Sequence, residues 1–146
     1  MKSSPDASHH HLAARLIAAL LFLAVSAGPL HAAESKLMLS GNQEVPLVQT
    51  AASGSGSIDV KDSKSVSGSV TTTGISATMA HIHIGGAGKN GPVIIPLAKS
   101  GDNSWAVPAG ASLNDEQYAA YKAGGLYVNV HSSAHPGGEI RAQIKP

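Results

Sequence analysis

Cysteine is absent from this chain of 146 residues, which excludes disulfides, thiolate metal centres and cysteine nucleophiles. Aromatic residues make up only 3% and charged residues only 13%. Lysine and arginine form no run and do not interleave with aromatics, which argues against nucleic acid as a partner. No Ser/His/Asp triad is apparent, and Gly85-Gly86-Ala87-Gly88-Lys89 lacks the spacing and the following Ser/Thr of a phosphate loop. What the chain does have is glycine, serine, threonine and valine, the mixture of a small β protein with frequent turns. The length suits one domain.

The N-terminal region reads differently from the rest. Lys2 and Arg15 flank a polar opening, Leu16–Val25 is an apolar core, Gly28-Pro29 breaks it, and Ala32-Ala33 supplies small residues. That order is the order of a secretory signal peptide, here residues 1–32, with the mature domain at 33–146. The apolar run is short for a bilayer span, which favours cleavage over an uncleaved anchor. The expected location is periplasmic or secreted, with no membrane attachment after cleavage.

Removal of that segment changes the histidine inventory. Of eight histidines, His9, His10, His11 and His31 leave with it, and His81, His83, His131 and His135 remain. Every mature histidine therefore falls in one of two short clusters. Thr78–Ile84 reads as a strand, on which Met79, His81 and His83 share one face and Ala80, Ile82 and Ile84 the other. Tyr127, Asn129 and His131 share a face of a second strand, Leu126–His131. If the two strands are neighbours, His131 completes a three-histidine set, and His135 in the following loop is a candidate fourth ligand. The plainer alternative is that each imidazole bonds a backbone group or a carboxylate. Met79 reads as a core methionine or as a weak axial ligand, because a thioether suits Cu(I).

Further strands are expected at Lys36–Ser40, Gly54–Val60, Ser65–Thr73, Trp105–Val107 and Glu139–Ile144, with Val93–Leu97 as a buried one. One short helix is expected at about 114–123, capped by Asn114 with Gln117 in a capping-box position and stopped at Gly124. Together these spacings predict an all-β fold, an antiparallel immunoglobulin-like sandwich or small barrel with one helix. Glu139 and Arg141 read as a structural ion pair, or either Glu44 or Glu139 as a carboxylate that orients a ligand imidazole.

Three ordered motifs carry a resemblance. Leu39–Pro46, His81-Ile82-His83 with Gly91-Pro92-Val93, and Tyr127–His131 with Pro136–Arg141 stand in the order seen in CHRD domains, over about Leu37 to Ile144. The chain resembles the stand-alone exported CHRD proteins of bacteria, which implies an immunoglobulin-like β fold and little about activity. Leu47 and Ala142 depart from the usual proline and glycine. The His-x-His strand and Arg141 also resemble, more weakly, the site chemistry of copper/zinc superoxide dismutase, without its disulfide or an evident zinc loop.

Three or four nitrogens without thiolates suit copper, as Cu(II) or Cu(I), and zinc accepts the same ligands. The functional expectation is a periplasmic copper-binding protein that buffers, carries or delivers the ion, with another envelope copper protein as a partner. The alternatives are a metal-free adhesion or protein-interaction module, and a dismutase-like redox enzyme. No residue is marked as catalytic.

Overall fold

The structure is a computed structural model that describes residues 34–146; the expected signal peptide and its histidines lie outside the described residues. Nine strands and one α-helix follow in chain order, with a 3-10 turn at Gly41–Gln43 after the first strand: β1 (Ser35–Ser40), β2 (Ser53–Val60), β3 (Val66–Thr73), β4 (Ala77–Ile84), β5 (Val93–Pro96), β6 (Ala98–Gly101), β7 (Ser104–Ala106), α1 (Asp115–Lys122), β8 (Leu126–Ser132) and β9 (Ile140–Ile144). They form one antiparallel sheet in the order β5-β4-β8-β9-β1-β2-β3-β7-β6 that curls into a nearly closed barrel. Of the two architectures expected, the barrel is the one adopted.

The alternation in the sequence explains which side of each strand faces inward. Leu37 and Leu39 of β1, Ala80 and Ile82 of β4, Leu126, Val128 and Val130 of β8, and Ile140, Ala142 and Ile144 of β9 are all buried in one core. Trp105 and the helix residue Tyr121 belong to the same core. Burying each large aliphatic side chain contributes on the order of 2 kcal/mol, so the core can hold the fold without disulfides.

Helix α1 begins as expected. Asn114 accepts from the Gln117 amide at 2.8 Å while the Gln117 side chain accepts from the Asn114 amide at 3.0 Å. Gly124 adopts φ 72°, the left-handed stop.

The segment Val93–Leu97 departs from expectation. It is an edge strand and not a doubly buried one: Ile95 and Leu97 turn inward, whereas Val93 is 45% exposed. An unbroken apolar run fits either role, and only the neighbours decide. Leu97 is a pivot. Its amide bonds Ala80 on β4 at 2.9 Å, while Ala98, the next residue, already pairs with Ala106 on β7. The two edges of the sheet are thus consecutive in sequence. Strand β6 was not expected, because its four residues are exposed and carry no alternation.

Met79 is a second correction. It is 46% exposed on the outer face of β4, so it is not a core methionine. Its position matches its neighbours His81 and His83, whose face of the strand is turned away from the core.

Candidate metal centre

Strand β8 is buried along its whole length, on both faces. The inner face packs the core; the outer face carries Tyr127, Asn129 and His131, all buried. Antiparallel pairing with β4 sets Met79 opposite His131, His81 opposite Asn129 and His83 opposite Tyr127. On the other flank β9 sets Arg141 opposite Asn129 and Gln143 opposite Tyr127. Because side chains alternate, one outer face of three adjacent strands collects every polar residue of this group. The loop between β4 and β5, the turn at Glu44 and the segment before β9 pack against it.

His81, His83 and His131 converge there. One ring nitrogen from each lies within 4.8 Å of the other two. His83 Nδ1 donates to the Gly91 carbonyl at 2.9 Å, and His131 Nδ1 donates to the Pro136 carbonyl at 2.9 Å. A carbonyl can only accept, so both rings are fixed as Nδ1–H tautomers with the Nε2 lone pair free for another role. His131 Nε2 faces His81 Nδ1 at 3.0 Å, which places the shared proton on His81. His83 Nε2 is buried and has no hydrogen-bond partner. Leaving such an acceptor unpaired costs about 1–3 kcal/mol, which makes His83 Nε2 a candidate ligand atom.

Burial holds the pKa of His81 below the ordinary imidazole value, and the neighbouring His131 and His83 add to this. Burial likewise lowers His83; its bond to Gly91 opposes the shift, and His131 and Arg141 reinforce it. His131 is lowered by burial against the opposing bond to Pro136. The three imidazoles are therefore neutral at neutral pH, the form that ligates metals. In nitrogen-detected NMR of the metal-free protein at neutral pH, His83 and His131 are expected as Nδ1–H tautomers. An Nε2–H signal from either ring would refute this arrangement.

His83 also stacks on Tyr127, with ring centroids 4.7 Å apart and planes 7° from parallel. The Arg141 guanidinium covers the same ring, 3.4 Å from its centroid. Since β4 and β9 flank β8 on opposite sides, Tyr127 is sandwiched between imidazole and guanidinium. The Tyr127 hydroxyl accepts from the Gly91 amide at 3.1 Å, so it braces the loop that orients His83.

The remaining candidates fall outside this group. His135 lies in the loop after β8, half-buried, with its amide bonded to Ser132 Oγ at 3.1 Å, and it is not among the converging nitrogens. Glu139 and Arg141 do not pair. Glu139 accepts from Ser132 Oγ and from Thr50 Oγ1, and these bonds, with His135 nearby, hold its carboxylate below the usual range despite burial. Nor does a carboxylate orient these imidazoles; the Gly91 and Pro136 carbonyls orient His83 and His131. Backbone carbonyls leave no residue-type signal, which is why the sequence could not name them. Glu44 accepts from Asn129 Nδ2.

A family model described as CHRD domain matches residues 36–144. The chain belongs to the CHRD domain family. Searches of curated proteins and of solved structures each return no match. The three converging histidines come from strands well inside the matched CHRD domain, on β4 and β8.

Proposed function

We propose that this CHRD domain binds one copper ion through His81, His83 and His131, and that it acts as an envelope copper-handling protein that buffers, carries or delivers the ion. The observation that carries this reading is the buried, partnerless Nε2 of His83 within a group of three neutral imidazoles. A metal would take the place of the proton now shared by His81 and His131, and would give His83 Nε2 the partner it lacks. The donor set is all nitrogen, with no carboxylate or thiolate among the three. Such a set favours copper over zinc in affinity order, although zinc fits the same ligands. Met79, on the same face and opposite His131, offers a thioether on the solvent side that suits Cu(I). His135 is close enough in sequence to serve as an outer contact but is not needed for the set. The periplasmic or secreted location rests on the signal-like N-terminus, and delivery to another envelope copper protein is a role that suits that location.

The test is metal stoichiometry and competitive affinity with Cu(I), Cu(II) and Zn(II) in turn. One equivalent of tightly held copper is expected, lost in His81→Ala while the thermal transition persists. Only weak uptake, unchanged by His81→Ala, would overturn the proposal and favour the metal-free interaction module.

A further inference from the structure

Arg141 presents a problem that copper binding alone does not solve. It is only 1% exposed, yet every hydrogen-bond acceptor it touches is neutral. Its guanidinium donates to the Gly86 carbonyl at 3.1 Å, the Lys89 carbonyl at 2.9 Å, Asn90 Oδ1 at 3.3 Å and Gln143 Oε1 at 3.4 Å. Among the described residues the ion pair that forms is Lys64 with Asp115, and no carboxylate comes within ion-pair distance of Arg141. Glu44 is the carboxyl group whose charge bears on Arg141, and burial raises that carboxyl to about 7, so it compensates the guanidinium only in part at neutral pH. A buried cation without a counter-ion is costly, and a neutral residue would hold a loop more cheaply.

The geometry aims this charge at the metal centre. Guanidinium, Tyr127 ring and His83 ring are stacked in that order, with 3.4 Å and 4.7 Å between successive groups. The intervening matter is a tyrosine ring and not water, so the field is poorly screened.

We propose that Arg141 sets the oxidation-state preference of the copper centre: its buried positive charge, transmitted across Tyr127, favours Cu(I) over Cu(II). The inference rests on the copper reading and deepens it. Repulsion between a fixed cation and a bound ion scales with the charge of the ion, so Cu(II) is penalised more than Cu(I). With a separation on the order of 10 Å and an effective dielectric of about 20, one unit of charge changes the ratio of the two affinities roughly tenfold. Arg141 is on this account a positioning and tuning residue, and it does not touch the ion.

The experiment measures Cu(I) and Cu(II) affinities, and so the reduction potential, of the purified protein and of Arg141→Gln, Arg141→Lys and Asn90→Asp, with Zn(II) affinity as a redox-inert control. Arg141→Gln removes the charge and should raise Cu(II) affinity relative to Cu(I) by about tenfold, lowering the potential. Zn(II) should follow Cu(II). Arg141→Lys keeps the charge but loses the planar stack, and should stay close to wild type. Asn90→Asp places a carboxylate against the guanidinium from an exposed loop position, and should shift the ratio in the same direction as Arg141→Gln by a smaller factor. This variant carries the test even if the buried Gln variant does not fold. Equal shifts in the Lys and Gln variants, or an unmoved ratio in Asn90→Asp, would show that Arg141 only holds the loop. Copper bound with an unaltered ratio overturns this inference alone, whereas absence of stoichiometric copper in the wild type overturns the copper reading and this one with it.

Discussion

Gly91→Ala should be the most damaging single-methyl change near the centre. A Cβ at this position would lie 1.7 Å from the Ile84 carbonyl oxygen and 2.9 Å from its carbon, both backbone atoms that no rotamer change can move. The loop between β4 and β5 must shift bodily. Its present course depends on Gly91 twice, through the carbonyl that accepts from His83 Nδ1–H and through the amide that donates to the Tyr127 hydroxyl. Overpacking against backbone should cost about 3 kcal/mol, seen as a lower denaturant midpoint with an unchanged slope. On the proposed copper reading, displacement of the carbonyl that orients His83 should weaken metal affinity about ten- to a hundredfold. A variant with wild-type midpoint and affinity would show that the loop is not the support described above.

Glu44→Gln should have the opposite sign and a clear pH signature. The Glu44 side chain is 6% exposed, and burial raises its carboxyl from 4.5 to about 7, with Arg141 and the Val45 amide pulling the other way. The folded protein therefore holds this proton more tightly than the unfolded chain does. Below pH 4.5 both states are protonated, and the group carries no penalty. As pH rises from there through about 7 the folded state loses its advantage, and above that it bears the full cost of a buried carboxylate. The difference corresponds to about 3 kcal/mol. Glutamine mimics the protonated form: it accepts from Asn129 Nδ2 as Glu44 does, and its own amide can donate to Asn129 Oδ1, a buried atom that lacks a partner. The variant should match wild type near pH 4.5 and exceed it in stability at pH 8. Comparison at each pH is essential, because the three histidines act in the reverse direction. Their lowered pKa values make stability fall as pH drops below the ordinary imidazole range. A stability gap between variant and wild type that is constant from pH 4.5 to 8 would refute the raised pKa of Glu44.

Much of the centre was legible because strand periodicity is local. The alternation Met79, His81, His83 against Ala80, Ile82 states which residues share a face, and the same holds for Tyr127, Asn129 and His131. Adjacency of the two strands had to be supposed, and β4 and β8 do pair. What the sequence could not convey depends on parts of the chain far from these strands. The outer face of β8 is buried only because loops carrying Glu44, Gly91 and Pro136 fold over it. Met79 is exposed because none of the described loops covers that end of β4. Arg141 and Glu139 share a strand face in sequence, yet each finds acceptors or donors in a different loop. The spacing of opposite charges identified the residues and misassigned their partners.

The pivot at Leu97 has a consequence for how copies of the protein meet. A sheet with free edges offers its unpaired amides and carbonyls as a template on which a strand from another molecule can grow. Here the two outermost strands are successive stretches of one short segment, fastened at Leu97 by the Ala80 bond. Pro92 and Pro96 leave one side with missing donors, and Lys99 places a charge on the other. A recruited strand could follow neither border for more than a few residues before meeting the corner. The same segment that nearly shuts the barrel thus leaves little continuous border on which a cysteine-free, β-rich protein could polymerise through its own backbone.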